Sequence, residues 1–125
     1  MSDTIHRECP ARAVLDHVTS RWGVRVLTAM RDGDLRFYEL RGKIEGISEK
    51  MLSQTLRTLV RDGLVTRTVE PSAPPKVTYG LTDLGRGVTE PLEALAAWIR
   101  CHAGALLAAQ AEYDGGRGPA AINPR

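Results

Sequence analysis

The stretch from Ser48 to Val69 leaves this chain few folds to choose from. Ser48 is placed to cap a helix, because its hydroxyl can accept from an amide in the first turn. Gly63 is placed to end that helix, because the left-handed closing residue is least strained without a Cβ. Between them Leu52, Leu56, Leu59 and Val60 recur at spacings of four, three and one, so one narrow stripe is apolar. The opposite face carries Lys50, Ser53, Gln54, Arg57 and Arg61, with almost nothing acidic after the first turn. A β-branched run, Val65 to Val69, follows directly and predicts a strand. Cations for phosphates and an amide for a base edge, on a helix that runs into a strand, make the pattern of a DNA recognition helix followed by a wing.

The neighbouring segments fit that pattern. Cys9-Pro10 predicts a helix start, since Pro is favoured at the first helical position and Cys9 then takes the cap. Val14, Leu15 and Val18 give this short helix an apolar side. Thr19-Ser20 offers a second cap, and the next helix is expected to run to about Arg31 with Trp22, Val26, Leu27 and Met30 on one face. Asp32-Gly33-Asp34 ends it with turn residues. Leu35-Arg36 can pair as a small strand, and Phe37 to Ile44 predicts a third helix with Phe37, Leu40 and Ile44 inward. Glu45-Gly46 then turns into the Ser48 helix, and two helices joined by so brief a turn make a helix-turn-helix.

Downstream, Glu70-Pro71-Ser72-Ala73-Pro74-Pro75 is stiff and poor in backbone donors, and Val77, Tyr79 and Leu81 alternate in a second strand. Strand, loop and strand predict a hairpin with a projecting tip. Thr82-Asp83 caps a long helix reaching about Tyr113, which Pro91 is expected to interrupt or kink. Its second half, with Leu92, Leu95, Ala96, Trp98, Ile99, Leu106 and Leu107, carries more apolar surface than a small domain covers, which predicts a dimer. The expected fold class is α+β, mainly α: a winged helix-turn-helix with a C-terminal dimerisation helix. Residues 1–8 are expected to be a flexible N-terminus, 9–113 the winged-helix domain and 114–125 a disordered tail.

A length of 125 residues suits one domain with its own core. The formal charge is only +2, but its distribution is uneven. From Arg21 to Leu81 there are eleven Lys/Arg against seven Asp/Glu, a local +4, while each flank comes to −1. The positive charge therefore sits on the segment holding the candidate recognition helix. No apolar run approaches the roughly 18 to 20 residues of a membrane span, and no signal segment directs export, so a cytoplasmic location is expected, at the nucleoid when bound to DNA. Cys9 and Cys101 are too few for a disulfide framework and lack metal-ligand spacing.

These residues resemble the HxlR family of bacterial transcription regulators, a branch of the MarR-like winged-helix proteins. The matching pieces are Cys9-Pro10, Arg21-Trp22, Leu35-Arg36-Phe37-Tyr38-Glu39-Leu40 and Gly46-Ile47-Ser48 through Met51-Leu52. Leu56-Arg57-Thr58-Leu59 to Asp62-Gly63-Leu64-Val65, Tyr79-Gly80-Leu81-Thr82 and Leu84-Gly85 continue the match in order and spacing, over about Cys9 to Arg100. Gly80 departs from the family, where a larger or Ser-like residue is usual, and is expected to weaken the second wing strand slightly. The resemblance implies a homodimer whose first and last helices form the interface, so that dimerisation helices stand at both the N- and C-terminal ends, with two recognition helices in successive major grooves of a pseudo-palindromic operator. It also implies a regulator, expected to be a repressor, that responds to a small molecule, electrophile or oxidant.

Ser48, Lys50, Ser53, Gln54 and Arg57 are the expected base-edge and phosphate contacts; Gln54 can pair bidentately with adenine and Arg57 with guanine or a phosphate. Arg36, Arg67 and Lys76 flank that surface and are assigned to phosphates. A thiol at Cys9 would face unpaired amides and the positive end of a helix dipole, with Arg7 and Arg12 nearby and Glu8 opposing them. That suits a redox sensor, as in several HxlR-type regulators, and an inert structural cysteine remains the alternative. Trp22 and Trp98 are either core or interface aromatics or the lining of an effector pocket. His6, His17 and His102 are scattered and suggest no metal site, and no cofactor is expected. No phosphate-cradling Gly loop, G-x-S-x-G, H-E-x-x-H or paired-carboxylate arrangement supports an enzyme. The alternative to a DNA-binding regulator is a winged-helix module that docks an acidic protein partner without specific DNA binding.

Overall fold

Capping side chains set the helix boundaries. In the computed structural model, which describes residues 10–117, α1 spans Pro10–Thr19 and α2 Arg21–Ala29. Between them Ser20 Oγ accepts from the Gly23 amide at 3.1 Å. A two-residue strand, β1 (Leu35–Arg36), leads into α3 (Phe37–Lys43). The Glu39 carboxylate accepts from the Arg36 amide at 2.8 Å and so satisfies one of the exposed donors at the start of α3. The recognition-helix candidate is α4 (Glu49–Arg61), opened by Ser48 Oγ accepting from the Met51 amide at 3.1 Å.

The end of α4 is closed by two bonds. The Gly63 amide donates to Val60 O and the Leu64 amide to Leu59 O, both at 3.0 Å, with Gly63 at φ +80°. This is the Schellman arrangement, and the buried pair Leu59 and Leu64 supplies its apolar contact. The chain leaves in β2 (Val65–Glu70) and returns in β3 (Lys76–Leu81). The sheet order is β1-β3-β2, antiparallel throughout, with Leu35 opposite Tyr79, Val65 opposite Leu81 and Glu70 opposite Lys76.

Two compact units divide the chain at Leu92. The core of the first gathers Val26, Leu27 and Met30 from α2, Leu40 from α3, Leu52, Leu56 and Leu59 from α4, and Leu64, Val65 and Leu81 around the hairpin. Each fully buried Leu here contributes about 1.5–3 kcal/mol. Val18 from α1 joins this core, whereas Leu15, expected on the same apolar side, is 53% exposed. The start of α5 (Asp83–Cys101) is tied to the end of α4: Thr82 Oγ1 donates to Gly63 O at 2.7 Å and accepts from the Gly85 amide at 3.0 Å. A Cβ on Gly85 would strike the Leu64 carbonyl, so only glycine lets α5 approach the α4–β2 corner this closely.

The second unit holds the end of α5 from Glu93 and α6 (Ala103–Arg117). Of the two expectations for Pro91, interruption does not occur: α5 runs through it, and the break in helix falls at His102. At His102 the backbone amide is shared between Trp98 O and Ile99 O, and the ring Nδ1 lies 2.8 Å from that same Trp98 carbonyl. Ring and backbone amide thus share one carbonyl where the helix breaks. A second correction concerns the tail. The helix passes Tyr113 and continues through Asp114-Gly115-Gly116 to Arg117, since a helix already propagating through an Ala- and Leu-rich segment carries each glycine at a cost of about 1 kcal/mol. The rest of the expected tail and the expected flexible N-terminus lie outside the described residues. No single helix among the described residues is long and apolar enough to cross a membrane.

Candidate nucleic-acid interface

Helix α4 presents its polar side outward because Leu52, Leu56 and Leu59 hold the other side in the core. Lys50, Gln54, Arg57 and Arg61 are exposed on it, with Ser48 exposed at the cap and Ser53 half-buried. The Arg57 guanidinium donates to Ser53 Oγ at 3.1 Å, one turn earlier, so its direction is partly fixed. Glu49, the acid in the first turn, pairs with Arg41 of α3 at 3.1 Å. That pairing turns the one carboxylate at the start of the face toward α3 and leaves the rest of the face cationic.

Between α4 and the hairpin lies an open cleft of about 750 Å³ lined by Ser53, Leu56, Arg57, Thr58, Val60, Arg61, Arg67 and Tyr79. Arg67 on β2 stands opposite Tyr79 on β3, which carries it over the cleft from the strand side. Among the described residues no carboxylate pairs with Arg57, Arg61 or Arg67. Three unneutralised guanidiniums around one groove form an anion-attracting surface whose floor, Leu56, Val60 and Tyr79, is apolar.

The expected site residues thus divide. Ser53, Arg57 and Arg67 come together in the cleft, while Lys50 and Gln54 are exposed on α4 outside it and Ser48 is exposed at the cap. Arg36 does not line the cleft; it ends β1 half-buried, with its guanidinium 5.6 Å from the centre of the exposed Tyr38 ring. Lys76 is exposed where β3 begins, across from Glu70. Arg61 lines the cleft without having been assigned to a contact, although its position one turn after Arg57 was the available signal.

Trp22 packs half-buried against the core, with the Arg21 and Arg25 guanidiniums 4.6 and 5.5 Å from its ring centre. Trp98, in the second unit, is 52% exposed and stacks on His102 with ring centres 4.2 Å apart. Neither tryptophan lines the α4–hairpin cleft. Helix α1 begins at Pro10 as expected, but Cys9 lies outside the described residues. Cys101 is exposed and free.

Known proteins share this arrangement. Residues 17–105 match the family model described as HxlR-like helix-turn-helix. The HTH-type transcriptional regulator YtfH of Escherichia coli (strain K12) is 51% identical over 105 residues, 84% of this chain and 83% of that one. The solved structure of the transcriptional regulator ytfH from Salmonella typhimurium has a TM-score of 0.77 at 49% identity, over 85% of this chain and 95% of that one. The redox regulator HypR in its reduced form gives a TM-score of 0.72 at 33% identity, covering 79% and 98% of the two chains. The three-stranded sheet beside two helices joined by a short turn is the winged helix-turn-helix of these regulators. The chain belongs to the HxlR-like helix-turn-helix family of DNA-binding transcriptional regulators.

Proposed function

We propose that this protein is a homodimeric, sequence-specific repressor in which α4 enters the major groove and the hairpin follows the adjacent backbone. The observation that carries this reading is the α4–hairpin groove, where Arg57, Arg61 and Arg67 stand without a carboxylate partner among the described residues. Lys50, Ser53 and Gln54 supply the amide, hydroxyl and ammonium groups that a base edge and its flanking phosphates require. Arg36 and Lys76 extend the phosphate contacts. Two copies would read half-sites about 34 Å apart on one face of a pseudo-palindromic operator. The exposed apolar side chains of the second unit, Leu95, Trp98, Ile99 and Leu107, form the surface that a second copy covers.

Fluorescence anisotropy with duplexes tiled across the DNA flanking the protein's own gene, at two salt concentrations and against a scrambled control, tests the reading. Selective binding that weakens steeply with salt is expected. Equal affinity for target and scrambled DNA, or no salt dependence, rejects it in favour of a protein-docking module. The effector is read as an oxidant or electrophile acting at Cys9, with support from the redox regulator among the structural relatives and from the helix start at Pro10. Diamide is then expected to change operator affinity in the wild type and not in Cys9→Ser; an equal response in both rejects Cys9 as the sensor.

A further inference from the structure

Helix α4 ends on an anomaly of charge. Asp62 is its C-cap, where the unpaired carbonyls make the helix end negative and an acidic side chain is disfavoured. The side chain is nevertheless only 5% exposed, so water does little to stabilise it. Among the described residues the one side chain bonded to it is His17, in the last turn of α1, with Nδ1 2.7 Å from Oδ2. A carboxylate only accepts, so the pairing places the imidazole proton on Nδ1. Ending α4 does not require this contact, because Gly63 and the bonds to Leu59 and Val60 already do so.

His17 is held from its other side as well. Its carbonyl accepts from Ser20 Oγ at 2.8 Å and from the Ser20 amide at 3.4 Å, and Ser20 caps α2. A Cβ on Gly23 would strike that same carbonyl, so α2 closes tightly against it. His17 therefore meets the start of α2 through its backbone carbonyl and the end of α4 through its side chain. An apolar contact of the same size as the His17–Asp62 pair would be buried with less desolvation, but it would let one helix slide over another. A hydrogen bond of fixed length and direction does not.

We propose that His17 and Asp62 are a positioning pair that locks the last turn of α4 to α1, so that the pose of Arg57 and Arg61 toward DNA depends on where α1 sits. The DNA arm of this proposal rests on the reading of α4 as the DNA-contacting helix. A displacement of α1 then reaches the interface through this bond, in addition to the core packing of Val18, without any ligand touching the interface itself.

Amide hydrogen exchange and operator anisotropy on the same four variants test the pair. His17→Ala and Asp62→Ala are each expected to raise exchange in residues 58–62 roughly tenfold and to weaken operator binding by about five- to tenfold, the scale of one typical net hydrogen bond. The double variant is expected to lose no more than either single one, because both act through the same bond. His17→Asn, whose amide nitrogen sits where Nδ1 does, restores both readouts, so the outcome does not depend on the alanine variants alone. Unchanged exchange at residues 58–62, additive losses in the double variant, or altered exchange with unaltered affinity would each overturn the proposal. Wild-type protein that selects no duplex contradicts the DNA reading instead, and the exchange data still decide whether the pair locks α4.

Discussion

Two glycines show how the identity of a neighbouring atom sets the cost of a side chain. A Cβ on Gly80 would meet the carboxylate of Asp34, the far end of an exposed side chain that can swing into water. A Cβ on Gly85 would meet the Leu64 carbonyl, which the Thr82 amide holds at 3.0 Å. Gly80→Ala is therefore expected to change stability by under about 1 kcal/mol and Gly85→Ala to cost about 1–3 kcal/mol, as read from thermal or urea unfolding. Comparable losses for the two would show that the Leu64 corner gives way as easily as Asp34. At Gly80 itself β3 stays paired with β2, opposite Thr66, and the space a side chain would take is filled by Asp34. On the polar face of α4, Arg57→Ala is expected to cost about 1–3 kcal/mol of operator binding. Unchanged affinity would remove Arg57 from the interface.

At the level of elements, local chemistry was the readable part. Ser48 and Gly63 mark α4 because capping is decided within four residues, and Ser20 marks α2 for the same reason. The hairpin was legible from the alternation around Pro71–Pro75, and β1 from two residues beside a turn. Pro91 does not interrupt α5, although a missing donor is a strong sequence signal, and the break at His102 had no comparable signal. The cleft was partly hidden, since Arg67 joins Arg57 only through the register that sets it opposite Tyr79. His17 and Asp62 were not legible as a pair, being 45 residues apart with no periodicity to relate them. For the hairpin as an element, Lys76→Gln is expected to lower the slope of log affinity against log salt by about one unit. An unaltered slope would mean that the start of β3 stays clear of the backbone.

For the whole molecule, the apolar side chains of the second unit matter most. Leu107 is exposed on the single chain, so Leu107→Glu should leave the fold of one copy nearly unchanged. If a second copy covers this surface, sedimentation should show a monomer, and operator affinity should fall by at least about a hundredfold as two linked half-site contacts become one. A variant that remained dimeric with full affinity would place the interface elsewhere.

The reading of α4 as a base-reading helix is tested most directly by atomic substitution in the DNA. Anisotropy would be measured on operators carrying 7-deazaadenine at one position at a time, with wild-type protein and with Gln54→Ala. Removing the N7 acceptor at one adenine per half-site should weaken wild-type binding roughly tenfold and leave the variant, already weaker, unaffected. If every substituted operator bound the wild type as tightly as the unmodified one, α4 would not be reading adenine edges in the major groove through Gln54.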